Sequence, residues 1–198
     1  MAITKLLITS RRPFAQEQAF GQVGPYEQLD GTVSFAVDPT HPANQLITDL
    51  KLAPRDVSGR VHFSADWRIL RPVEPQRGNH RLLFDILNRG RGPGLRNLNS
   101  AQDVAPTEPL DPGNGFLMRQ GYTVVWCGWQ ADVPPTPGLM SLQAPEALTP
   151  SGTPLIGKML CQFQADEGVS MFYLADRQHL PHPAVDVDDP DAILQVRD

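Results

Sequence analysis

Three residues with the potential for chemistry, Asn88, Arg89 and Gly90, come directly after the nearly continuous apolar run at residues 82–87. Backbone amides at the C-terminal end of a buried parallel strand face the crevice where open α/β sheets bind ligands. Such an amide can stabilise the negative oxygen that develops during acyl transfer. The sequence therefore predicts an oxyanion-side loop at these residues. The plainer interpretation is a glycine-rich turn that only reverses the chain.

No serine in the sequence has the surroundings of a hydrolase nucleophile. Such a serine needs small residues two positions before and two positions after it, so that a sharp turn exposes the hydroxyl. None of the eight serines has glycine at both positions, and Ser170 has only Gly168. We therefore expect no catalytic residue, and no complete catalytic triad, within the chain.

Gly90, Gly92 and Gly94 have part of the spacing of a phosphate-binding loop. The dinucleotide pattern requires a further glycine at the position that Leu95 occupies, and no Gly-Lys-Ser/Thr sequence follows. Nucleotide binding is therefore not expected, and the sequence calls for no cofactor.

A possible set of metal ligands lies near the C-terminus, where His179 and His182 are close in sequence to several aspartates. Imidazole and carboxylate groups can ligate a divalent ion. Pro181 prevents the helical arrangement that makes paired histidines a strong indication of a metal site. A solvated polar loop is the better interpretation, so no metal is expected.

Asp85 is a carboxylate inside the apolar run. A carboxylate in such surroundings can have a perturbed pKa and a catalytic role. More often it is a paired structural group, and Arg81 or Arg89 is the expected partner.

The elements before this run alternate apolar and polar residues, which is typical of half-buried strands. Residues 29–37 place Val33, Phe35 and Val37 on one face, and residues 61–70 alternate in the same way. Residues 47–52 alternate less cleanly. We expect these three segments to form an antiparallel meander.

The pattern then changes to a βαβ unit. The run at residues 82–87 favours a strand covered on both faces, and a second apolar strand is expected at residues 122–129. Between them, Asp111 and Pro112 are good residues to begin a helix, and Gly121 is placed to end it. The two strands should therefore be parallel.

These patterns divide the chain into three regions: a β-rich meander at residues 1–75, the βαβ unit at residues 76–130, and a loop and β-rich insertion at residues 131–198. Within the last region, strands are expected at residues 155–164, 170–174 and 192–196. Because this last strand approaches Asp198 without a cap or polar tail, we expect the chain to be truncated or cleaved there.

Composition excludes some partners. The net charge is -5 and no lysine-rich run is present, so nucleic acid is not an expected partner. No segment approaches the roughly 20 apolar residues needed to span a bilayer, so no membrane partner is expected either. Cys127 and Cys161 lack Cys-x-x-Cys spacing and are expected to be free thiols. A reducing compartment, the cytoplasm, fits best, and export is left open.

Several stretches resemble the N-terminal part of a bacterial family of alpha/beta hydrolase domain-containing proteins. They are Phe20-Gly-Gln-Val-Gly-Pro-Tyr-Glu27, Leu70-Arg-Pro-Val73, Leu83-Phe-Asp-Ile-Leu-Asn-Arg-Gly90, Asp111-Pro-Gly-Asn-Gly-Phe-Leu-Met-Arg-Gln-Gly-Tyr-Thr-Val-Val-Trp126 and Gly128-Trp-Gln130. Members of that family are much longer, and their nucleophilic serine, acid and histidine lie downstream of the part that this chain resembles. The resemblance implies a β-rich α/β fold, in which the meander leads into the first part of an α/β-hydrolase sheet.

The function implied by the resemblance is that of a scaffold portion of an esterase-like hydrolase, inactive alone. It would act on a small-molecule ester only when the C-terminal part is present. The alternative is a stand-alone β-rich ligand-binding or protein-interaction module, with Trp67, Trp126 and Trp129 on its surface, although core packing is the favoured role for these tryptophans. Self-association is expected, because the strand at residues 122–129 would have an exposed apolar edge.

Overall fold

A mixed six-stranded sheet organises the N-terminal part of the chain. The computed structural model describes residues 2–160, 162, 168 and 184–195. The chain divides into two compact units, Met1–Pro154 and Leu155–Asp198, and the sheet belongs entirely to the first.

The strands are β1 (Ala2–Pro13), β2 (Tyr26–Val37), β3 (Val61–Pro72), β4 (Leu82–Phe84), β5 (Thr123–Cys127) and β6 (Leu142–Gln143). Their order in space is β1-β2-β3-β5-β4, and the short β6 pairs with β3 beyond the end of β5. Only β4 and β5 are parallel, whereas the other pairs are antiparallel. The expected combination of an antiparallel meander and a parallel pair is therefore present.

The meander contains two of its three predicted strands. β2 and β3 pair along their whole length, from Tyr26 opposite Pro72 to Val37 opposite Val61. The strand predicted at residues 47–52 is wrong, because this segment contains a short 3-10 turn, Leu50–Leu52, preceded by the left-handed Asp49. The third strand is instead β1, which pairs with the other edge of β2.

The parallel pair is joined by two short helices, α1 (Gly94–Asn99) and α2 (Phe116–Arg119). The predicted helix start at Asp111 is wrong, because the Asp111 carboxylate accepts hydrogen bonds from the Gln102 and Gly113 amides in a loop. α2 begins only after Gly115, which is left-handed at φ 68. Its end at Gly121 is confirmed, since that amide donates to the Met118 carbonyl and φ is 77. α1 was not predicted.

The two faces of the sheet differ at the central strands. Leu70 of β3 and Val124 and Trp126 of β5 are buried against both helices, and this side is called the helix-covered face. Tyr26 belongs to the same cluster, and its hydroxyl donates to the carbonyls of Met118 and Tyr122 at 3.2 and 3.0 Å. These contacts join the hairpin of β1 and β2 to the end of the crossover, the segment that connects β4 to β5.

The other side of the sheet, called the opposite face, carries a smaller cluster. Leu29, Val33, Ala65 and Trp67 are buried there, and half-buried residues such as Ile69 and Cys127 pack around them. No helix contributes to this cluster. The described helices of the N-terminal unit therefore cover one face only.

The strand predicted to be covered on both faces, β4, is open instead. Leu82 and Phe84 are 61% and 52% exposed, because β4 lies at the edge of the sheet with β5 as its single described neighbour. The open edge predicted for residues 122–129 is also wrong, since β5 lies between β3 and β4. The unpaired edge of the parallel pair therefore belongs to β4.

In the C-terminal unit, the described residues form no strand. The strands predicted at residues 155–164 and 192–196 are absent at residues 155–160 and 192–195, where the side chains are exposed and no neighbouring strand pairs the backbone. The predicted strand at residues 170–174 lies outside the described residues. Nowhere in the described part of the chain is there a helix both long and apolar enough to cross a bilayer.

Candidate functional site

The predicted oxyanion-side loop is a tight turn closed by two backbone hydrogen bonds. The Asn88 amide donates to the Arg91 carbonyl at 2.8 Å, and the Arg91 amide donates to the Asn88 carbonyl at 3.1 Å. The two central residues, Arg89 and Gly90, have positive φ values of 51° and 82°. Positive φ at both central positions is the mark of a type I′ turn, which glycine adopts without a steric penalty.

Contacts to the end of β5 hold this turn in place. The Arg89 amide donates to Gln130 Oε1 at 2.7 Å, and its guanidinium pairs with Asp132. The Trp129 indole donates to the Leu87 carbonyl at 2.7 Å. The turn therefore lies beside the C-terminal end of β5, as well as after β4.

The three amides of the loop differ in what they bind. Those of Asn88 and Arg89 are engaged, whereas the Gly90 amide has no acceptor among the described residues. Gly90 is buried, and its carbonyl accepts from the Met140 amide at 3.2 Å. A Cβ at Gly90 would lie 2.9 Å from a Val133 methyl. Glycine is therefore required here both by backbone conformation and by close packing.

Gly90 borders a cavity of about 90 Å³ that is also lined by Arg68, Gly92, Trp126 and Met140. The cavity is smaller than typical ligand pockets, which have volumes of roughly 300–1,000 Å³. It therefore suits a small polar group beside the turn.

Asp85 anchors the segment after β4. Its Oδ2 accepts from the Trp126 indole at 2.5 Å and from the Gly94 amide at 2.7 Å. Asp85 is hydrogen-bonded, as expected of a structural group, but its partners are not the predicted Arg81 or Arg89, and the Arg89 guanidinium pairs with Asp132 instead. Asp85 therefore fixes the start of α1 and the orientation of Trp126.

The positions of Gly92 and Gly94 after β4 are explained by the same two side chains, Asp85 and Trp126. A Cβ at Gly92 would lie 2.1 Å from the Trp126 indole nitrogen, and one at Gly94 would lie 2.6 Å from Asp85 Oδ2. These glycines let the chain pass closely over Asp85 and Trp126. The spacing that resembles a phosphate loop is therefore accounted for by packing.

Of the other candidate groups, only Cys127 lies within the described residues. His179 and His182 lie outside the described residues, and those that are described contain no cluster of three or more potential metal ligands. Cys127 is a half-buried free thiol, whose pKa is raised by burial and by the nearby Asp66. Cys161 lies outside the described residues.

The three tryptophans do not form one exposed surface. Trp67 and Trp126 are buried in the two core clusters, and Trp129 is 56% exposed. Core packing is therefore confirmed for Trp67 and Trp126, and the surface of three tryptophans expected for a binding module is not formed.

Sequence reasoning missed the residues that hold the turn from a distance. Gln130 and Asp132 follow the second apolar strand, and Met140 follows a proline-rich loop. Gln130 belongs to a stretch that carries the family resemblance, and this was the one indication in the sequence that it has a role. Nothing in the local pattern marks Asp132 or Met140.

Comparisons with protein-family models, curated proteins and solved structures find no match to this chain. The α/β-hydrolase resemblance therefore stays a prediction from the sequence.

Proposed function

We propose that this chain is the N-terminal, scaffold-forming part of an esterase-like α/β-hydrolase that cleaves a small acyl ester. In this proposal the turn at residues 88–91 forms the oxyanion side of the active site, and the Gly90 amide is the donor. The nucleophile is supplied by a strand added beside β4. The observation that carries the proposal is the open edge of β4 next to this turn.

The backbone of β4 shows which groups an added strand would meet. The Arg81 carbonyl accepts from the Thr123 amide and the Asp85 amide donates to the Val125 carbonyl, so these residues face β5. Because successive residues of a strand face opposite neighbours, Leu82 and Phe84 direct their amides and carbonyls away from β5. No described strand pairs with them.

An added strand parallel to β4 would end at the same edge of the sheet as the turn. In open α/β sheets this edge is where ligands bind. A nucleophile on the sharp turn after such a strand would then face the donor amides. The Gly90 amide, which has no acceptor in the described part of the chain, and the small cavity beside it support the proposal that the ester carbonyl oxygen is received there.

The nucleophile itself is expected to lie outside this chain. We therefore expect the purified chain not to hydrolyse a short nitrophenyl ester. Turnover that a serine-directed inhibitor abolishes would contradict the absence of a nucleophile.

The oxyanion role is tested in the protein completed by the nucleophile-bearing segment. Gly90→Val should lower ester turnover by a factor of roughly 10² or more, because the donor amide is displaced. Gly59→Val is the matched control, since Gly59 also has a positive φ of 77° but has open space where a Cβ would lie.

Both variants should lose stability from backbone strain. Turnover per folded molecule should fall only in Gly90→Val. If the two variants lose stability alike and keep the same turnover per folded molecule, the loop is only a turn.

A further inference from the structure

Arg68 of β3 is a mostly buried cation whose terminal donors are unused among the described residues. Its side chain is 12% exposed, and its Nε donates to Asp30 Oδ1 at 2.5 Å. Its two terminal amino groups make no hydrogen bond with any described residue. Yet Arg68 lines both the small cavity beside Gly90 and a larger groove over the first three strands.

The groove has a volume of about 400 Å³, which lies in the range of small-molecule sites. Its floor is polar and its wall is apolar. The floor comes from strand residues that include Thr9, Ser10, Thr32 and Asp66, and the wall comes from Pro106, Pro137, Leu139 and Met140. The groove therefore suits a ligand with one polar end and an apolar body.

The charged side chains around Arg68 decide which of its groups a ligand can meet. Asp30 is shared between Arg68 and Arg12, whose terminal nitrogen lies 3.5 Å from the same carboxylate. Asp66 is already bound through Oδ2 by the Ser141 amide at 2.9 Å. Asp66 keeps its negative charge while it accepts this hydrogen bond, so the two carboxylates of the groove balance its two guanidinium groups. Among the described residues, what Arg68 offers a ligand is therefore its pair of terminal donors and not an excess of positive charge.

The geometry of the guanidinium selects the kind of anion. Because Nε is occupied by Asp30, the free donors are the two terminal amino groups, which form a planar fork. Such a fork matches two oxygens of a carboxylate or of a phosphate. A hydrogen bond of this type is strengthened where water is partly excluded.

We propose that this groove binds a small organic carboxylate, with the carboxylate on the Arg68 fork and the apolar body against Leu139 and Pro137. The site requires neither the nucleophile nor a strand added beside β4. Its failure is therefore distinguishable from failure of the proposed hydrolase function.

The first test compares an acid with its neutral amide on the unmodified chain. Phenylacetate should bind, as measured by isothermal titration calorimetry, and phenylacetamide should bind at least tenfold more weakly. Equal affinities for the two, or no phenylacetate binding at 10 mM, would overturn the proposal.

The second test uses three variants. Arg68→Lys keeps the charge but removes the fork, and it should weaken phenylacetate binding at least tenfold. Arg71→Lys is the matched control, because Arg71 is on the same strand and its Nε also donates to a β2 carboxylate, that of Glu27, at 2.8 Å. Arg71→Lys should bind phenylacetate like the unmodified chain. Thr32→Phe should fill the groove and abolish binding while Arg68 is kept.

Phenylacetate binding that survives in both Arg68→Lys and Thr32→Phe would contradict the proposed site. If Arg68→Lys does not fold, Thr32→Phe and the comparison of acid with amide decide the question.

Discussion

The two faces of the central strands have very different surroundings. On the helix-covered face, Leu70 and Val124 are fully buried, together with Trp126. On the opposite face, the neighbouring residues Ile69 and Val125 are only half-buried, and Phe84 is exposed. The same strands thus carry an extended buried layer on one side and a smaller, partly exposed cluster on the other.

This difference follows from the crossover between β4 and β5. Both of its helices contribute to the covered cluster, through Leu95 of α1 and Leu117 and Met118 of α2. Parallel strands are normally covered on both faces, because their connections place helices there. A single crossover provides only one of the two layers, which is consistent with the proposal that further structure is added beside β4.

The largest effect is expected from emptying the covered face. Met118→Ala removes a fully buried side chain and should lower the free energy of unfolding by about 3 kcal/mol. Urea denaturation measures this loss. The matched substitution Phe84→Ala on the opposite face should change it by less than about 0.5 kcal/mol. Equal losses would remove the contrast between the faces.

The next largest effect is expected at the buried carboxylate of Glu27, which contributes to stability in a pH-dependent way. Glu27 is buried between Arg71 and Arg11, whose Nε atoms lie 2.8 and 2.5 Å from its oxygens. Burial alone would raise the pKa of Glu27, but the hydrogen bonds and charges of the two arginines outweigh it and lower the pKa below its ordinary value of 4.5. A lowered pKa in the folded state adds stability that is present above the ordinary pKa and lost as the pH falls through the lowered one.

Glu27→Gln should therefore cost about 2 kcal/mol at pH 7 and progressively less below about pH 4.5. Urea denaturation of the unmodified chain and of the variant between pH 7 and acid pH gives the difference in their free energies of unfolding. The contributions of all other carboxylates cancel in this difference, because both proteins contain them. A difference that does not change with pH would show that Glu27 is not held ionised by the arginines.

A smaller effect is expected where the first hairpin joins the crossover. Tyr26→Phe removes the hydroxyl that donates to the Met118 and Tyr122 carbonyls and should cost about 1 kcal/mol. Thermal unfolding followed by circular dichroism measures this change. An unchanged midpoint would mean that the link between hairpin and crossover rests on packing alone.

A substitution at the open edge of β4 should have the smallest effect on stability. It should, however, measurably change self-association. Leu82→Lys should leave the free energy of unfolding within about 0.5 kcal/mol of the unmodified value, because Leu82 is exposed. We expect the unmodified chain to self-associate through this edge and the variant to do so less, since charge on an edge strand opposes pairing. Sedimentation at high concentration measures both, and a strictly monomeric unmodified chain would contradict the expectation.

The sequence predicted the elements whose pattern is local. β2 and β3 alternate cleanly, and β4 and β5 are apolar runs bounded by glycine, so their types and the parallel pairing could be predicted. The sequence-based prediction failed for segments whose structure depends on contacts with distant parts of the chain. Residues 47–52 contain enough apolar side chains for a strand, but β1 takes the free edge of β2 instead. The position of β5 inside the sheet depends on pairing with β3, which no local pattern records.

In the candidate site, too, some features could be predicted from the local sequence and others depend on distant contacts. The turn after β4 could be located from Asn88, Arg89 and Gly90, because glycine after an apolar run marks a turn. Its supports, Gln130 and Met140, come from segments about 40 and 50 residues further along the chain. Arg68, which lines both cavities, is an ordinary polar residue of an alternating strand in the sequence, and only the fold shows that it is buried.

The central claim is that β4 presents an unpaired edge to an added strand, and amide hydrogen exchange of the chain at a concentration where it is monomeric tests it most directly. The Leu83 and Asp85 amides face β5 and should exchange slowly. The Leu82 and Phe84 amides face outward and should exchange at nearly the rate of an unprotected chain. Equally slow exchange of all four amides in the monomer would show that the edge is already paired and would contradict the claim.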